Sequence, residues 1–243
     1  MKYWIAPLLL CAGYLSAADF WQTKPFTAWS EKDARKLLEN SPWAKAVTIS
    51  TDLALPSNSE GPRRPSMQDN PSAMTVPDPR EERGNAIHGL DAGDDPGRGA
   101  APARFIVEWR TALPVREALV RIRYGSEGAT SPSAKKILET EEQDYEIVVS
   151  GIASAILSGN PEKLKQGILE HSALSVKGKE PIHPRDIQFR PANAGAEAIF
   201  LFPKTNPLTL EDKDKEFSTK LPSITIKQRF RLQDMVINGK LEL

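Results

Sequence analysis

Between Pro56 and Ala103 the chain carries eight prolines and six glycines in 48 residues, with many Ser, Asn and Asp and few large apolar side chains. A stretch of that composition buries too little surface to offset the entropy of ordering it. It is expected to be a disordered insertion between two strands, and it confines any packed core to the sequence on either side. Structureless connections of this length are uncommon within one domain. The alternative is therefore a linker joining a small N-terminal unit to the main domain. Setting aside this stretch and the N-terminal leader described next, about 177 residues remain to fold, the size of one ordinary domain.

The leader is residues 1–18. Met1 and Lys2 give a short positive start, Tyr3 to Tyr14 form an apolar run of twelve residues, and Ser16-Ala17-Ala18 precede Asp19. This is the order of a secretory signal peptide, with cleavage expected after Ala18 or Ala17. The run is too short to span a bilayer, which takes about 20 residues. Leu8-Leu9-Leu10-Cys11 has the outline of a lipoprotein box, but that box wants a small residue before the cysteine and Leu10 is large. Removal of the leader would take away Cys11, the one cysteine of the chain, and with it every thiol nucleophile, disulfide and thiolate metal site. Export to the periplasm or beyond the cell is the expected address.

Charge and hydropathy exclude further classes. With 32 basic and 32 acidic side chains the chain lacks the electrostatic footprint of a nucleic-acid binder. No apolar run of 18 residues occurs and the mean hydropathy is −0.42, which argues against a multi-span membrane protein and leaves no expected span once the leader is gone.

Residues 19–55 are expected to form an aromatic helix–strand segment packed on the main domain. Phe20, Trp21, Phe26, Trp29 and Trp43 crowd its first half. Ser30 with Asp33 reads as a capping box and Trp29 with Ala34 as a hydrophobic staple. Ala34, Leu37 and Leu38 supply the helical stripe, which Asn40-Ser41-Pro42 ends. Val47, Ile49, Thr51 and Leu53 then alternate as in a half-buried strand.

Residues 104–243 read as the main α+β domain. Phe105, Val107 and Trp109 share one face of a strand. Pro114 opens a helix through Ile122, and Ser133 begins a shorter one through Leu138. Tyr145, Ile147 and Val149 mark the next strand, and Asn160-Pro161-Glu162 opens a helix to about His171. Strands are expected at Ile187–Phe189, Ala198–Phe202, Glu216–Leu221, Ile224–Leu232 and Met235–Leu243, with Asn238-Gly239 a type I′ turn signal in the last. The fold class that follows is α+β, a mainly antiparallel sheet with three to four helices on one face.

No constellation specifies a reaction. His88 lies in the Pro/Gly-rich stretch. Glu170-His171 and His183-Pro184-Arg185-Asp186 hold two histidines and two carboxylates, yet lack the helix-face spacing of H-E-x-x-H. Ser133 and Lys136 have the S-x-x-K spacing of a serine–lysine acylase without its companion motifs. Gly89 to Gly97 is glycine-rich and acidic but fits neither an EF-hand nor a phosphate loop. No G-x-G-x-x-G is present, and no cofactor or metal is called for. Trp21, Trp29 and Trp43 are the candidate binding residues. Rigid indoles can form a stacking platform for sugars or peptides, or they can anchor the capped helix to the sheet. Lys227-Gln228-Arg229-Phe230-Arg231 could touch an anionic partner, although its alternation is that of a solvated strand face.

The runs Lys24-Pro25-Phe26-Thr27-Ala28-Trp29-Ser30, Ser41-Pro42-Trp43-Ala44 and Leu232 to Leu243 resemble the two ends of a family of uncharacterised exported bacterial proteins. The resemblance implies a shared exported architecture and brings no catalytic residues. The functional expectation is a non-enzymatic binding or envelope-associated module with a protein or glycan partner. A cysteine-free extracytoplasmic hydrolase is the alternative, and it requires a pocket where base, orienting group and reacting centre meet.

Overall fold

The computed structural model describes residues 19–49, 102–176, 178–192 and 195–243. The leader with Cys11 and Ala18, the expected strand positions Thr51 and Leu53, and the Pro/Gly-rich stretch as far as residue 101, with His88 and Gly89 to Gly97, lie outside the described residues.

Two helices and a strand come first: α1 (Phe20–Thr23), α2 (Glu31–Glu39) and β1 (Ala44–Ile49). The capping box forms as the sequence predicts. Asp33 N donates to Ser30 Oγ and Ser30 N to Asp33 Oδ2, both at 3.0 Å, which satisfies two amides that the helix leaves free. β2 (Ala103–Trp109) resumes the chain and pairs antiparallel with β1, Ile49 opposite Ala103. Next come α3 (Leu113–Tyr124), α4 (Pro132–Glu139), β3 (Asp144–Ile152) and α5 (Pro161–Glu170). Proline stands in the first turn of all three of these helices, where its missing N–H costs nothing. Seven strands follow: β4 (Ala173–Val176), β5 (Asp186–Ala192), β6 (Gly195–Pro203), β7 (Asp214–Leu221), β8 (Ile224–Arg231), β9 (Val236–Ile237) and β10 (Lys240–Leu241).

The fold is α+β, with five α-helices among the described residues and every strand pairing antiparallel. The strands divide between a five-stranded sheet, ordered β1-β2-β3-β6-β5, and a three-stranded sheet, ordered β4-β7-β8. Over Met235–Leu243 the chain forms the short hairpin that the turn signal predicts, of two two-residue strands. Asn238 and Gly239, both at positive φ, close it as the turn signal demands.

One continuous core joins α2, α3 and the three-stranded sheet to a single face of the five-stranded sheet. Edge-to-face ring pairs cross between the sheets: Trp109 meets Phe230 at 5.5 Å, and Phe217 meets Phe200 and Phe202 at 5.1 and 6.2 Å. The alternation of β7 drives this packing, since Phe217 and Leu221 point inward while Lys220 is exposed. On the opposite face Val148, Ile199 and Leu201 form a separate apolar cluster, beside the buried Glu108.

Candidate functional site

A groove of about 870 Å³ lies where the edge strands of the two sheets meet. One wall is α1. Its Trp21 is held edge-on by Phe20 and Trp43 at 4.9 and 6.1 Å, and Gln22 Nε2 donates to the Val236 carbonyl at 2.7 Å. The second wall is the corner between α2 and β1. There Ser41 Oγ accepts from the amides of Trp43 and Ala44, each at 3.2 Å, which fixes the turn. Lys36, in the last turn of α2, sits where the helix dipole favours a cation, and Lys45 follows on β1. The third wall is β8 and the 3-10 turn after it. Phe230 points into the core, so Arg229 and Arg231 must point out.

Four cations, Lys36, Lys45, Arg229 and Arg231, thus line one groove against two carboxylates, Asp19 and Asp234. The Arg229–Glu216 pair, at 3.8 Å and well exposed, contributes little. The net excess of positive charge suits an anionic segment. Chain-wide neutrality hides this local asymmetry.

The three tryptophans read as binding residues are 7%, 1% and 0% exposed for Trp21, Trp29 and Trp43. Trp29 Nε1 donates to the Lys24 carbonyl at 3.0 Å and Trp43 Nε1 to the Glu242 carbonyl at 2.8 Å. These burials are those of an anchor that seats α1 and α2 on the sheet. Only Trp21 reaches the groove.

His183 reaches the carbonyl of Ser172, the residue after His171, but among the described residues no hydrogen bond joins either ring to a carboxylate. Both His171 and His183 are exposed, with Nδ1 against the carbonyls of Gly167 and Ser172, while Asp186 pairs with Lys165. Among the described residues no group of three or more His, Cys, Asp or Glu could hold a metal ion. Ser133 and Lys136 are exposed neighbours on α4 with no hydrogen bond between them among the described residues. A hydrolytic centre would need nucleophile, base and orienter hydrogen-bonded in series, and no such hydrogen bonds join these side chains among the described residues.

Three polar clusters escape sequence reasoning. Glu108 is buried on the far face of the large sheet, hydrogen-bonded by Arg110, which also pairs with Glu197 at 3.7 Å. Burial pushes the Glu108 carboxyl up in spite of Arg110. A second concavity of about 600 Å³ lies between α3, α4 and the C-terminal strand. In it Tyr145 Oη accepts from the Leu208 amide at 2.9 Å and Lys204 Nζ sits 4.9 Å from the Tyr145 ring centre. Burial, reinforced by Arg116, pushes the Lys204 ammonium down. The third cluster surrounds Lys215, a cation at a core position of β7. No local signal distinguishes such a lysine from a surface one; only the inward register of Phe217 and Leu221 marks it.

No protein-family profile, curated protein sequence or solved structure matches this chain.

Proposed function

We propose that the chain is an exported, envelope-associated binding module that holds an acidic segment of a partner protein in the groove between α1, β1 and β8. The observation that carries this reading is the convergence of Lys36, Lys45, Arg229 and Arg231 on one groove of about 870 Å³ that, among the described residues, holds two carboxylates. Three further features support it. Trp21, at the groove wall, is only 7% exposed and is packed against Phe20 and Trp43, which leaves no open ring face for a sugar to stack on. The groove lies beside β1 and β8, edge strands among the described residues, and an edge strand can pair with an extended segment. Export rests on the leader of residues 1–18 and on the family resemblance of the two chain ends.

The test is a titration of the purified chain, at low salt, with a short oligo-glutamate peptide, an oligo-lysine peptide of equal length and an acidic oligosaccharide, read by tryptophan fluorescence. Oligo-glutamate binds, oligo-lysine does not, and the affinity falls steeply as salt is added. Arg231→Glu weakens binding by about tenfold. A preference for the oligosaccharide transfers the site to a glycan partner, and indifference to charge ends the proposal.

A further inference from the structure

Lys215 occupies an alternation position of β7 that its neighbours Phe217 and Leu221 fill with apolar side chains. It is 0% exposed, and its Nζ has no hydrogen-bond partner among the described residues. A lysine at a core position is costly unless something satisfies its three donors. The nearest carboxylate, Asp212, lies 3.4 Å away but is already engaged. Its Oδ1 accepts from Lys179 Nζ at 2.6 Å and its Oδ2 from the Thr209 amide at 2.9 Å. Burial alone would raise the Asp212 carboxyl, yet these hydrogen bonds and the Lys215 charge hold it at about 2. Asp212 is therefore a permanent counter-charge for two cations and fully satisfies neither.

Beside this cluster is a partly open cavity of about 150 Å³, room for about five waters at their liquid volume. Lys215, Lys179 and the Asn206 amide lie on its polar side, and Ile182, Pro207 and Leu208 form its apolar side. We propose that this cavity binds a small aliphatic monocarboxylate. The carboxylate would accept from Lys215 Nζ and the Asn206 amide, and its alkyl end would lie on Ile182, Pro207 and Leu208. Glu180 and Asp212 also line the cavity, so a doubly charged anion such as phosphate is disfavoured against a single charge. The site shares no residue with the groove, so its failure leaves the groove reading untouched.

The experiment is a thermal-denaturation series on the full chain with sodium butyrate, acetate and phosphate at constant ionic strength, paired with a butyrate titration followed by NMR. Butyrate is expected to bind with a Kd of about 1 mM, to raise Tm more than acetate, and to shift the Leu208 and Ile182 methyl signals. Lys215→Met, which leaves Asp212 paired with Lys179, should abolish the response. Asn206 is exposed, so Asn206→Ala tests the site without touching the core, and it should weaken binding about tenfold. An unchanged butyrate response in Asn206→Ala, an equal response to phosphate, or no methyl shift with any carboxylate would overturn the proposal.

Discussion

Replacing Glu117 by glutamine should flatten the dependence of stability on pH. Glu117 lies on α3, and its carboxyl is pushed up to about 7 from the ordinary 4.5 by burial and by the neighbouring Glu242 charge, with Arg116 only partly offsetting them. The folded protein therefore keeps this proton at pH values where the unfolded chain has released it. Stability from this group is fully present below about pH 4.5 and is lost as pH rises through about 7. The gap corresponds to at most about 3 kcal/mol, and the partial exposure of the side chain trims that to about 1–2 kcal/mol. The loss has a structural address, because the Glu242 carbonyl receives the Trp43 indole and its amide bonds to Met235. Ionisation of Glu117 would set a second negative charge against Glu242, beside the contact that joins the C-terminus to the aromatic anchor. Urea denaturation at about pH 4 and about pH 8.5 measures the effect: the two proteins match in acid, and Glu117→Gln is the more stable by about 1–2 kcal/mol in base. Equal pH dependence of the two, or a less stable glutamine variant in base, would refute the reasoning.

Trp43→Phe removes the 2.8 Å hydrogen bond to Glu242 and leaves a void in a fully buried site, so it should cost about 2 kcal/mol in a urea melt. Gly195 has φ +121°, and a Cβ there would stand 2.3 Å from the Ile152 carbonyl oxygen. Gly195→Ala should therefore cost more than about 2 kcal/mol and shift the β3–β6 amide signals. N-terminal sequencing of the protein recovered from its native envelope or culture medium should begin at Asp19, and a chain retaining Met1 would contradict the proposed export.

Features decided within a few residues were legible from the sequence. The Ser30–Asp33 box, the proline-opened helices and the Asn238-Gly239 turn all depend on neighbours in the chain, and each forms where its motif stands. The period-2 patterns around Tyr145, Phe200 and Phe217 located strands but not their partition into two sheets. That partition depends on the pairing of β4 with β7 and on the ring contacts Trp109–Phe230 and Phe200–Phe217, which join residues far apart in the chain. β4, four residues long and following directly on a helix end, carries no pattern of its own. The candidate site was visible only in fragments. Trp21 and the basic run at Arg229–Arg231 stand out separately in the sequence, but Lys36 and Lys45 join them only through the meeting of β1 and β8. Lys215 was hidden for a related reason, since a lysine on a strand reads as solvated until its register is known.

The most direct test of the groove is a ¹H–¹⁵N NMR titration of the chain with an oligo-glutamate peptide. The largest shifts should fall on the indole N–H of Trp21 and on the amides of Lys45, Arg229, Arg231 and Gln233, while those of His171 and Lys204 stay still. Shifts spread evenly over the basic surface, or centred on the Lys204 cavity, would contradict the account.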